Sequence, residues 1–140
     1  TIGFVLIRLG AFAVGVARGE SLLSSKVGTG NIHGRHRQGG SSANRFRRHR
    51  EKQTEYFMTR TCNYAREHLE PYVKDMDYLV YGGAWTTILE MKKQCGFLGS
   101  LEKPELPPHL DIPDPRLKVL ESVVIKTWST AMYEWPGANR

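Results

Sequence analysis

Cysteine is scarce in this sequence, with Cys62 and Cys95 the only two in 140 residues. Neither lies in a CxxC pair or a cysteine–histidine metal spacing, which excludes a disulfide-framed mini-protein and a zinc module. So few thiols point to a reducing cytoplasm, and Cys62, inside a helical stretch, is expected to be a small buried hydrophobe. Proline (seven) and glycine (14) occur at ordinary frequencies, so collagen and low-complexity chains are excluded too. Long hydrophobic runs are missing. The most apolar stretch, Ile2 to Ala17, carries Arg8 in its middle and is shorter than the ~20 residues that span a bilayer. A secretory signal would place its positive charge ahead of the apolar core, so these residues are expected to form strands. No Ser/His/Asp, Cys/His or paired-carboxylate set has a compelling spacing. His33-x-x-His36 lacks further metal ligands nearby and is expected to touch RNA instead.

What remains is one domain of ordinary size over residues 1–140, long enough to bury roughly 68% of its unfolded surface. Its formal net charge is +6, and that charge is concentrated. Between Asn31 and Lys52 stand Arg35, Arg37, Arg45, Arg47, Arg48, Arg50 and Lys52, with Glu51 the one acid. Seven against one leaves a surplus of six, the net charge of the whole chain, so the remainder is balanced. A like-charge block is often only a solvated face or a tail. This block sits mid-chain, interleaved with His33, His36, Phe46 and His49, which can stack on bases. That is the footprint of a phosphate-backbone binder.

Glycine turns punctuate the first third. Phe4 to Leu9, Phe12 to Val16 and Leu22 to Val27 read as an antiparallel meander. From about residue 28 to 40, Gly28, Gly30, Gly34, Gly39 and Gly40 exclude regular structure, leaving an exposed loop expected to project and to be mobile. Its glycine spacing is wrong for a dinucleotide fingerprint. A long helix should follow from about Ser42 to Leu69, with Ser41 and Ser42 as N-cap types and Phe46, Gln53, Phe57, Thr61, Ala65 and Leu69 as its inner face. Its first turns carry Arg45, Arg47, Arg48 and Arg50 at the positive end of the macrodipole, each unfavourable by a few tenths to about 1 kcal/mol. A phosphate would reverse that sign. Tyr78 to Tyr81 reads as a buried strand ended by Gly82-Gly83. Ala84 to Gln94 reads as a helix stopped by Gly96, and His109 to Ile112 as a brief strand. Asp114 and Pro115 open a last helix with Leu117, Leu120, Val124, Trp128, Ala131 and Trp135 as its apolar stripe.

His33-Gly34-Arg35 followed by Gly39-Gly40-Ser41-Ser42-Ala43-Asn44-Arg45-Phe46-Arg47-Arg48-His49-Arg50 resembles the central, catalytic domain of eukaryotic and archaeal class I peptide chain release factors. The insertion His36-Arg37-Gln38 is closer to the bacterial stand-alone release-factor-like peptidyl-tRNA hydrolases, relatives of the ribosome quality-control hydrolase. Leu79-Val80-Tyr81-Gly82-Gly83 matches that family's strand and glycine turn. The resemblance implies a mixed α/β sheet opening with an antiparallel three-stranded meander, helices packed on it. It implies codon-independent hydrolysis of peptidyl-tRNA at the peptidyl-transferase centre, rescuing stalled nascent chains. The implied partners are large-subunit ribosomal RNA and peptidyl-tRNA, with no cofactor, metal, membrane or DNA. Gly39, Gly40, Ser41 and Ser42 would be catalytic; His33, Arg35, Arg37, Gln38, Arg45, Arg47, Arg48 and Arg50 would bind RNA. One departure matters: release factors have glutamine where Ser41 stands, the quality-control branch has it where Ala43 stands, and Gln38 precedes the glycines. The alternative is therefore a non-catalytic ribosome- or RNA-binding module, like the Pelota-type middle domains that keep the fold without the glycine motif.

Overall fold

Glycine turns let the first apolar runs fold back on one another. In the computed structural model, which describes residues 1–30, 40–106 and 112–134, β1 (Ile2–Arg8) and β2 (Ala11–Arg18) pair antiparallel with Val5 opposite Val14. Strand β3 (Ser21–Thr29) pairs antiparallel with β2, with a bulge at Val16/Ala17. Strand β4 (Tyr78–Gly83) returns parallel to β1, giving the order β3-β2-β1-β4. The expected antiparallel meander inside a mixed sheet is what the fold contains.

Both faces of the sheet are covered, which explains why β1 is apolar from Ile2 to Ile7 instead of alternating. Val5, Ile7, Phe12, Val14, Val16, Leu79 and Tyr81 face one layer. That layer comprises α1 (Gly40–Leu69), a 3-10 turn (Glu70–Asp75), α2 (Trp85–Gln94) and α3 (Gly96–Ser100). Ile2, Phe4, Leu6, Ala13, Ala17 and Val80 face α4 (Leu117–Glu134), through Leu120, Val123 and Val124. The large β2 side chains point to α1 and the small ones to α4, so α4 packs closely. The β4 edge is sealed by the proline-rich connection, where Leu79 N–H donates to Pro104 O (2.9 Å) and Leu106 N–H to Leu79 O (2.8 Å).

Several boundaries differ from expectation for identifiable reasons. Strand β3 runs through Gly28, where a Cβ would lie 2.6 Å from the Phe12 ring, so the missing side chain serves packing as well as turning. Helix α1 opens at Gly40, placing Ser41 and Ser42 inside its first turn instead of at a cap. Of the inner face foreseen for α1, Phe57, Thr61, Ala65 and Leu69 are buried, with Met58 beside them, whereas Gln53 is half-buried and Phe46 is exposed. Gly96 opens α3 after an extended Cys95, and does not simply stop α2. Helix α4 starts at Leu117, two residues past Pro115, and Leu117 itself is exposed. Most of the brief strand placed at His109 to Ile112 lies outside the described residues; Ile112 is buried against α4.

The largest correction concerns the cysteines. Cys62 is half-buried and joined to Cys95 by a disulfide that spans a sequence separation of 33. Helical phase turns Cys62 toward the α2–α3 junction, a proximity that spacing along the chain cannot reveal. The bond clamps α1 to the helices beside it. Among the described residues no helix is long and apolar enough to cross a membrane.

Two stability measurements follow from this packing. At Gly83, φ is +117° and a Cβ would be driven into the Ile7 carbonyl, whose oxygen accepts from Ala84 N–H. At Gly19, φ is +61° but the space is open. Gly83→Ala should therefore cost more than about 2 kcal/mol and Gly19→Ala about 1 kcal/mol in thermal or denaturant unfolding. Equal effects would contradict the Ile7 approach. Reducing the disulfide, or Cys62→Ser, should cost about 3–4 kcal/mol from chain entropy; an oxidised domain with two titratable thiols would remove that account.

Candidate nucleic-acid interface

Length governs the site. The 30 residues of α1 extend about 45 Å, whereas strands of seven to nine residues extend about 23–30 Å. The helix therefore outruns the sheet. Nothing from Asn44 to Tyr56 is buried, and burial begins at Phe57 among the described side chains. The half with no core beneath it carries the basic block.

The block is sorted by face. Arg45, Arg48, His49 and Lys52 line one concavity with Asn44. His49 and Lys52 also line a second one, which continues past Tyr56 to Arg60 and to Thr29 and Gly30 at the end of β3. These positions recur every three or four residues, so they form one stripe without an acid. Arg47 and Arg50 point elsewhere, beside Glu51, Glu55 and Glu90 of α2. Arg47 Nε lies 3.9 Å from Glu51 Oε1 with both side chains largely exposed, an ion pair worth about 0–1 kcal/mol. Four expected RNA contacts thus separate into Arg45 and Arg48 on a purely cationic face and Arg47 and Arg50 on a mixed one. The basic block ends at Lys52, but i+4 spacing carries the stripe on to Tyr56 and Arg60, which a reading of charge alone passes over.

Gly40, Ser41 and Ser42 begin α1, and no acid occupies its first turn. N–H groups there have no acceptor within the helix, and the dipole adds positive potential. Backbone donors, arginines and the helix end act in the same direction, toward an anion. Gly39 and His33, Arg35, Arg37 and Gln38 lie outside the described residues.

The root of the helix is held firmly. Arg60 donates through Nη1 to Thr29 O (2.9 Å), and its guanidinium and Lys26 Nζ lie 5.8 and 4.9 Å from the Tyr64 ring centroid. Tyr64 stacks on Phe12 at 5.6 Å, and Ser24 Oγ shares a 2.7 Å hydrogen bond with His68 Nδ1. Among the described residues no group of three or more His, Cys, Asp or Glu is placed to hold a metal. The described part of the site offers backbone donors and cations.

No curated protein matches the chain. The crystal structure of an archaeal translation termination factor, aRF1, is similar over 95% of this chain and 39% of its own, with a TM-score of 0.64 and 17% identity. A structure described only as an archaeal protein is similar over 95% of this chain and 38% of its own, with a TM-score of 0.60 and 15% identity. At such identities the likeness is one of fold, and this chain spans well under half the length of either structure. The model of the Actinobacteria/chloroflexi VLRF1 release factor family matches residues 1–132, nearly the whole chain, in agreement with the glycine–arginine motif and the mixed sheet: the chain belongs to that release factor family.

Proposed function

We propose that this domain is a codon-independent peptidyl-tRNA hydrolase that acts at the peptidyl-transferase centre to free stalled nascent chains. The observation that carries the reading is the opening of α1: the second of two adjacent glycines starts a helix whose first turn has no acid. That turn stands at the tip of a cationic rod with no core beneath it. Glycines without Cβ atoms admit a ribose to close range. The Ser41 N–H, without an acceptor in the helix, can then donate to the 3′-oxygen as negative charge develops during attack by water on the ester. A backbone donor survives the loss of a glutamine side chain. The rod supplies the second requirement, affinity for the phosphates of ribosomal RNA and peptidyl-tRNA.

A second reading, a binding module without hydrolysis, is favoured by one observation: Ser41 and Ala43 occupy both positions where relatives carry the glutamine. Single-turnover release of peptide from ribosome-bound peptidyl-tRNA decides between them. If the backbone donor suffices, Ser41→Ala keeps most activity and Gly40→Ala abolishes it, whereas Ser41→Gln raises the rate. If the hydroxyl positions water, Ser41→Ala loses about 10²-fold or more. No release by the wild type, and none gained by Ser41→Gln, would leave the binding module.

The sorting of charge generates a separate prediction. Arg45→Gln with Arg48→Gln should weaken RNA binding across sequences and lower the log–log salt slope by roughly one unit per lost contact. Arg47→Gln with Arg50→Gln should do less, since those side chains stand among carboxylates. Equal losses in the two pairs, measured by titration at several salt concentrations, would show that the faces are not distinct.

A further inference from the structure

A second concavity lies at the root of the projecting helix, away from the proposed chemistry. It encloses about 400 Å³ between the end of β3 and the middle of α1. Its floor is rigid. Phe57 is buried, its ring centroid lies 6.2 Å from that of Phe12, and a Cβ on Gly30 would sit 2.7 Å from its ring. Tyr56, the preceding residue, lines the same concavity and is 70% exposed. An aromatic ring so exposed adds little to the fold, while its face remains available for stacking.

The flanking residues give that ring a purpose. Lys52 and Arg60 stand one helical turn before and after Tyr56, about 6 Å along the axis in each direction, and line the same concavity. Arg60 is ordered in advance by its bond to Thr29 O, and a guanidinium has five N–H donors, so one bond does not exhaust it. A π-face between two cations is how proteins hold an unpaired base together with the phosphates beside it.

We propose that Tyr56, Lys52 and Arg60 form a subsite for one unpaired RNA nucleotide, its base stacked on Tyr56 and the adjoining phosphates held by Lys52 and Arg60. The inference rests on the release-factor reading only for the choice of RNA as the nucleic acid. Sixteen residues separate Tyr56 from Gly40 on α1, about 24 Å along a helix, so the subsite anchors the domain without touching the scissile ester.

The test uses the whole domain and three probes: a single-stranded RNA hexamer, an abasic hexamer of the same backbone, and an RNA duplex. Tyr56→Ala should weaken hexamer binding about tenfold, equivalent to ~1.4 kcal/mol and within the range for one stacked base. The loss should vanish on the abasic hexamer and the duplex, and the salt slope should not change because no charge is removed. Tyr56→Phe should bind as wild type. Lys52→Gln with Arg60→Gln should weaken hexamer and abasic hexamer alike and lower the slope by about 0.7 per lost contact. Thermal unfolding of Tyr56→Ala should match wild type. The proposal is overturned if Tyr56→Ala binds the hexamer as wild type, if it loses equally on the abasic strand, or if the wild type binds no hexamer. Peptide release measured in parallel separates the two claims. Release with no Tyr56 dependence removes the subsite alone, and Tyr56 dependence without release removes the hydrolase alone.

Discussion

The structure depends on one mismatch: α1 is longer than the sheet on which it lies. Its second half is fixed by Phe57, Met58, Thr61, Ala65 and Leu69, all buried, and by the bond from Cys62 to Cys95. Thr61 Oγ1 donates to Phe57 O (2.8 Å), so even the buried hydroxyl is satisfied within the helix. At the far end a Cβ on Gly3 would meet Leu69 and Met76 at 2.8 Å, so close packing against β1 holds the last turn. An isolated helix of the first half's composition would be marginal in water. Continuity with an anchored half allows a charged half to stay helical beyond the body of the domain.

That geometry also resolves the electrostatic conflict in the sequence. Because α1 opens at Gly40, Arg45, Arg47, Arg48 and Arg50 lie in its second and third turns, where the macrodipole has largely fallen off and solvent screens their mutual repulsion. A domain stable by roughly 5–15 kcal/mol can tolerate this if the rest of the fold is well packed. The core shows that it is, with β1 buried on both faces from Ile2 to Ile7. Here the local rule is broken where no core depends on it.

Much of this was legible in the residues. The period of the apolar runs gave the strands, the stretch from Ser41 to Leu69 without proline or glycine gave the long helix, and the glycine–arginine motif gave the family. The misses share a cause. Helical phase places Phe46 on the core face, but phase says nothing about where the sheet ends, and Phe46 is exposed. Cys62 reads along the chain as a buried hydrophobe because its partner Cys95 lies across a tertiary contact. Lys52, Tyr56 and Arg60 line one concavity only with the end of β3 beside them. Gly28 read as loop, whereas its missing Cβ makes room for the Phe12 ring inside a strand. Each error is one of distance in space, the quantity that a one-dimensional pattern lacks.

One rigid element carrying both proposed functions has a geometric consequence. Backbone donors at Gly40 to Ser42 and the ring of Tyr56 belong to one helix, so their separation is set by its rise and their relative direction by its twist. A flexible link would make the two engagements nearly independent, with an effective concentration diluted by the volume the link explores. A helix removes that search: seating the root presents the tip at a fixed height and angle, and misplacement by even 1 Å is what catalysis tolerates least. The clamp from Cys62 to Cys95 and the bond from Arg60 to Thr29 act on the same problem, because both fix the helix at its root. In this fold the sheet and its core serve chiefly as the mount for that helix.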